Sequence, residues 1–230
     1  MKLYQVQKQS VVDICRTLLQ KGYLKATEGN VSIRVPDENA FAITPSSYDY
    51  ALMQCDDICV LDVDLAPLAG GRKPSIESAM HAAVYHARPD VQVIIHTHQP
   101  YASALGIMHK PIPALFDEQV RFLGRSVEII PYAPSGTPFL KKNVRRKVGS
   151  GNNAFILQNH GVLVFGTDEA QAVHNMALLE KCALVYLLAL LSDEKISQIP
   201  LAVREIAFSK LRPDEKRFNN IEIEERTGLK

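Results

Sequence analysis

The sequence predicts a single α/β domain, a central sheet with helices on its faces, and three observations carry that reading. Segments with apolar residues at helical spacing alternate with short β-branched runs along one continuous chain. The composition, 47% hydrophobic and 22% charged over 230 residues, belongs to a globular protein large enough to fold without disulfide or metal staples. No internal repeat, low-complexity stretch or linker divides it. We therefore set one domain at 1–195, followed by a charged tail at 196–230 that is either loosely ordered or docked on a neighbouring subunit.

The elements follow in order. Val6, Val11, Val12, Ile14, Cys15, Leu18 and Leu19 recur at helical spacing and predict an amphipathic opening helix over 3–24 that ends at Gly22. Runs at 31–35, 41–43 and 58–63, separated by Pro36, Asp37, Asn39, Pro45 and Asp56, predict strands of an antiparallel sheet. After the turn Gly70-Gly71-Arg72-Lys73-Pro74, Ser75 has the chemistry of an N-cap for a helix reaching His86. Arg88-Pro89-Asp90 breaks it, and 91–95 reads as a buried strand delivering His96-Thr97-His98. A helix at 100–108, a short strand at 126–130 and a basic-faced helix at 137–147 come next. Strands at 154–157 and 161–165 then flank Gln158-Asn159-His160, and a long apolar helix covers 168–191.

Charge narrows the partners. Lys and Arg number 26 against 25 Asp and Glu, so no global field draws the chain to nucleic acid or to an anionic membrane. No uninterrupted apolar run reaches the roughly 18–20 residues that span a bilayer, and the first ten residues lack a signal core, which points to the cytoplasm. Cys15, Cys55, Cys59 and Cys182 form no C-x-x-C pair and read as reduced thiols.

The chemistry concentrates at His96-x-His98. On a strand, residues i and i+2 point to one side, so both imidazoles face one point where the sheet gives way to a loop. A metal reading and a solvated-plus-core reading stand about even for this pair alone. His160, in a tight break before Gly161, is the natural third ligand of a site with an open position, although it also suits a polar turn. Glu77 falls in the first turn of its helix, where an anion is stabilised as base or ligand. His81, one turn on, is a candidate for orienting a ligand or replacing one. Gly29-Asn30 and Thr44-Pro45-Ser46-Ser47 supply amide and hydroxyl donors fit for an oxyanion, although by composition alone each reads first as an ordinary turn, since neither matches a Walker or dinucleotide pattern.

Taken together, Thr27-x-Gly29-Asn30-x-Ser32-x-Arg34, Ile43-Thr44-Pro45-Ser46, Lys73-Pro74-Ser75-x-Glu77, His96-x-His98 and Asn159-His160-Gly161 resemble the class II aldolase/adducin superfamily. The resemblance spans about residues 7–191. It implies a three-layer α/β/α fold around a mainly antiparallel sheet, and a homotetramer with active sites between subunits. It also implies Zn²⁺ held by His96, His98 and His160, with Glu77 as acidic ligand and base. Gly29, Asn30, Ser46, Ser47 and Ser75 map onto the positions that hold a sugar phosphate, while Ile76 stands where the family's fuculose-phosphate aldolases have a second serine.

The function that the resemblance implies is retro-aldol or aldol carbon–carbon chemistry on a ketose phosphate, through an enediolate that zinc stabilises. The same site also fits a sugar-phosphate dehydratase, a decarboxylase or a 4-epimerase. Ile112-Pro113-Ala114 leads to Asp117, followed by Glu118, where fuculose-phosphate aldolases place an acid tyrosine, so Asp117 or Glu118 is the candidate acid, supplied by the next subunit or by its own. The epimerases' aspartate position is occupied by Arg121, which ranks that reading lower. A non-catalytic assembly module is the alternative of another class.

Overall fold

Side chains that alternate along each strand give this chain one sheet with two buried faces. The computed structural model describes residues 4–192 and 194–211. The elements run α1 (Gln5–Gln20), β1 (Asn30–Val35), β2 (Ala40–Ile43), β3 (Cys59–Asp62), β4 (Pro67–Ala69), α2 (Ser78–Ala87), β5 (Val93–Thr97) and α3 (Pro100–Ile107). They continue with α4 (Asp117–Phe122), β6 (Glu128–Ile130), α5 (Pro138–Lys147), β7 (Ala154–Leu157), β8 (Gly161–Gly166), α6 (Glu169–Leu190) and α7 (Leu201–Ile206). The eight strands form one sheet in the order β4-β3-β2-β1-β5-β8-β7-β6. Every pairing is antiparallel except β6 with β7.

One face carries Val31, Ile33, Val60, Val93, Ile95, Ile156 and Val164 against α1, α3 and α6. The other carries Phe41, Leu61, Ile94, Phe155, Leu163 and Phe165 against α2 and α5. The period of two thus produces three layers, the expected α/β/α fold with a mainly antiparallel sheet.

Several elements depart from the sequence reading. α2 starts at Ser78 with Glu77 at its cap, not behind Ser75. The reason lies in the segment before it: Pro74 bridges to Pro45, and Ser75 donates its N–H to the Thr44 carbonyl at 3.1 Å, so the backbone there belongs to a loop pairing. Short β4, α4 and α7 leave no signal in the sequence, because three to six residues give too little periodicity to stand out. α6 is long and apolar enough, by length and composition, to cross a membrane. Here that apolarity faces the sheet, through buried Ala172, Met176, Leu179, Cys182 and Ala183. Beyond it, Ala207 is buried with Ala114 and Val120, and Arg125 stacks on Phe208 at 3.7 Å. The charge-rich segment 212–230 lies outside the described residues.

Candidate active site

Parity on β5 decides where the first histidine points. Ile94 faces the α2 layer, so His96 does too, while Thr97 turns to Met176 of α6 on the opposite side. His96 is fully buried and its Nδ1–H donates to the Val162 carbonyl on neighbouring β8 at 2.8 Å. That bond fixes the tautomer and leaves the Nε2 lone pair aimed into the site. His98, one residue past the strand, brings its Nε2 to 3.3 Å from His96 Nε2.

His160 arrives from the β7–β8 hairpin. Asn159 takes the left-handed conformation (φ 53°) that reverses the chain, so the turn does not depend on conformational freedom at Gly161. Gly161 is required for a different reason. A Cβ there would collide with the Thr97 carbonyl and would lie 2.7 Å from His98 Cδ2, so β8 can pass against the histidine segment only as glycine. Gly29 (φ 83°) is confined in the same manner, by the carbonyl of His96.

These elements bring ligand atoms of His96, His98 and His160 within 4.8 Å of one another. Glu77 closes the group, with Oε2 3.1 Å from His96 Nε2 and Oε1 3.2 Å from His160 Nε2. Burial alone would raise the Glu77 pKa, but the neighbouring imidazoles of His96 and His160 and the Asn30 amide hold it well below the usual carboxylate range. Burial, aided by repulsion from His96, pushes His160 down to about 4 and lowers His98 as well. His96 resists its own burial and is raised by Glu77.

The residues fit a divalent cation. Two nitrogens bound tetrahedrally at about 2.0–2.1 Å from one zinc stand roughly 3.3–3.4 Å apart, which matches the His96–His98 separation. Glu77 Oε1 is buried beside these nitrogens without a hydrogen-bond partner, an arrangement that a cation between them would satisfy.

Above this cluster lies a cavity of about 260 Å³, in which the loops carrying Gly29 and Asn30, Ser46 and Ser47, and Ser75 to Glu77 meet. All five residues expected to hold a phosphate therefore line one pocket with Glu77, His98 and His160. Asn30 donates its amide to Glu77 Oε2 at 2.8 Å. Two further lining residues escaped the sequence reading. Glu28 sits with its carboxylate 3.9 Å from His98 Nδ1, and Ser135 has its hydroxyl 3.3 Å from His160 Nε2. Ser135 belongs to Pro134-Ser135-Gly136-Thr137, the turn that leads into the N-cap of α5, and that turn was its one visible signal.

Asp117 and Glu118 are not brought to this pocket within the chain. Asp117 lies on α4, 3.5 Å from Arg121, and Glu118 contacts Lys181 at 3.3 Å. Cys55 donates to Gln9 and Cys59 to the Arg72 carbonyl, so both thiols serve local structure.

Residues 9–187 match the family model described as Class II Aldolase and Adducin N-terminal domain. The chain is 31% identical over 185 residues to a 3-oxo-tetronate 4-phosphate decarboxylase of Haemophilus influenzae, covering 78% of this chain and 86% of that one. It is 30% identical over 184 residues to a 5-deoxy-D-ribulose 1-phosphate aldolase of Bacillus thuringiensis, covering 80% and 85% respectively. Its fold matches a solved L-fuculose 1-phosphate aldolase with a TM-score of 0.84 at 31% identity, over 90% of this chain and 96% of that chain.

Proposed function

The chain belongs to the class II aldolase and adducin family, and from that premise we propose that it is a zinc-dependent lyase that cleaves or forms a carbon–carbon bond in a ketose phosphate. The observation that carries this reading is the convergence of three imidazoles and one carboxylate, of which His98, His160 and Glu77 line a pocket rimmed by hydroxyl and amide donors and His96 is buried beside them. When bound by His96, His98 and His160, zinc supplies Lewis acidity toward the substrate carbonyl.

The chain's own groups do the rest. Ser46, Ser47 and Ser75, with the Gly29 and Asn30 loop, hold the phosphate through hydroxyl and backbone donors. Glu77 Oε2 is held by Asn30, which leaves Oε1 to exchange a proton at the carbon beside the carbonyl. Substrate entering between Glu77 and the imidazoles separates it from His96 and His160, which lower its pKa, while burial, which raises it, and the Asn30 amide remain. Asp117, on α4 away from its own pocket, serves as the acid of a neighbouring subunit in a cytoplasmic homotetramer.

The described residues lining the pocket include Glu28 and Glu77 but no Lys or Arg, so within the chain the phosphate is held by neutral hydroxyl and amide donors. The test is to measure zinc content and incubate the protein with dihydroxyacetone phosphate and short aldehydes, following products by mass. One zinc per chain and zinc-dependent bond formation are expected, with Glu77→Gln inactive. Release of carbon dioxide from a 3-oxo sugar-acid phosphate instead would replace the aldolase assignment with a decarboxylase. No zinc and no turnover would leave an assembly module.

A further inference from the structure

Glu77 at the cap of α2 and His81 and Tyr85 on the helix are spaced by four and face β1, where Asn30 and Ser32 are spaced by two. The two periodicities meet in a single buried file of hydrogen bonds. His81 Nε2 is 2.5 Å from Asn30 Oδ1, His81 Nδ1 is 2.6 Å from Ser32 Oγ, and Ser32 Oγ is 2.8 Å from the Tyr85 hydroxyl. His81, Ser32 and Asn30 are all buried.

We infer that His81 is a positioning residue that fixes which end of the Asn30 amide faces Glu77. The inference rests on the reading of Glu77 as ligand and base. An amide's oxygen and nitrogen have nearly the same shape, and only their hydrogen bonds distinguish them. An ionised carboxylate accepts and never donates, so Glu77 requires the NH₂ end of Asn30. Asn30 Oδ1 must then face a donor, and His81 supplies it through an Nε2–H. With that proton assigned, His81 Nδ1 is an acceptor and takes the Ser32 hydroxyl proton. Ser32 Oγ, its own proton spent on His81, in turn accepts from Tyr85, whose hydroxyl is 2.8 Å from Ser32 Oγ and 3.4 Å from its other acceptor, the Gln92 carbonyl. Every donor along the file has one direction, from Tyr85 through Ser32, His81 and Asn30 to Glu77. Turning the amide over would set its oxygen against the carboxylate and its NH₂ against an N–H, breaking two bonds between buried side chains. His81 therefore carries its proton on the nitrogen opposite to the one used by His96, which donates from Nδ1. The sequence pattern behind the device is Asn-x-Ser on a strand facing Glu-x-x-x-His-x-x-x-Tyr on a helix.

The test compares His81→Leu with His81→Gln, whose side-chain amide can place a donor near the position of Nε2. Zinc affinity, measured by competition with a chromophoric chelator, should fall about tenfold or more in His81→Leu and return to within about threefold of wild type in His81→Gln. In a Glu77→Ala background the His81→Leu change should alter zinc affinity by less than about threefold, because no carboxylate remains for Asn30 to hold. An equal loss in both backgrounds would reduce His81 to a general structural role and overturn the inference. A metal-free readout is independent of zinc: ¹⁵N NMR of the wild-type imidazoles should show the His81 proton on Nε2, and a proton on Nδ1 refutes the file. Protein that takes up no zinc yet shows the Nε2 tautomer would sink the metal reading while supporting the amide lock.

Discussion

Gly161→Ala tests the site through a residue that carries no functional group. The added Cβ would lie 2.7 Å from His98 Cδ2 and would collide with the Thr97 carbonyl. Carbon atoms in good contact stand about 3.5–4.0 Å apart, so the His98 ring must retreat by roughly 0.8–1.3 Å or β8 must shift from β5. Metal–ligand distances tolerate only about 0.2 Å, so a displacement of that size removes His98 from the ligand set. Overpacking of this kind costs about 1–3 kcal/mol of stability, and zinc affinity should fall by about 100-fold or more. The assays are urea unfolding of metal-free protein and chelator competition for zinc. Gly149→Ala is the control, since nothing lies within 4 Å of its Cβ position. It should be neutral or stabilising by up to about 1 kcal/mol. Wild-type zinc affinity in Gly161→Ala would refute either the close approach of β8 or the assignment of His98 as a ligand.

Other predictions follow from the same geometry. His96→Ala should abolish stoichiometric zinc binding while the protein remains folded by circular dichroism, and chelation should lower the melting temperature of wild type but not of this variant. Burial lowers the His81 pKa to about 3, below its unfolded value of about 6.5, so the unfolded chain gains a proton first as pH falls. Metal-free stability should therefore drop from His81 by about 1.4 kcal/mol per pH unit below roughly 6.5, or about 2 kcal/mol by pH 5. His160 acts in the same direction and His96, whose pKa is raised, acts against it. The isolating comparison is wild type against His81→Gln in urea at pH 8 and pH 5, and equal pH dependence in the two would contradict the buried neutral imidazole. Arg88 donates to the Val148 and Asn152 carbonyls and to Asn153 Oδ1 from a buried position, and also pairs with Asp90. Arg88→Met should cost about 3 kcal/mol by urea unfolding, with zinc binding unchanged.

By itself the sequence determined the layers and the face on which His96 stands. A period of two along 93–97 puts Ile94 and His96 on one face whatever the rest of the chain does, and the apolar spacing of 169–190 lays one stripe of α6 against the sheet. Such parities are local, which is why they can be read without a partner. Tertiary structure decided what meets what. Strand order sets β1, β5 and β8 side by side, and only that adjacency carries the Asn30 loop, the end of β5 and the His160 hairpin to one pocket. Glu77 joins them because the segment before α2 pairs with the Thr44–Pro45 loop, a contact between residues about thirty apart that leaves no periodic trace. The same rule separates residues that the chain order appeared to associate with the site. Asp117 follows Pro113 by only four residues, yet α4 carries it away from the pocket of its own chain. Hydrogen-bond direction is the least legible of all, since the role of Asn30 depends on a proton on His81, fifty-one residues further along.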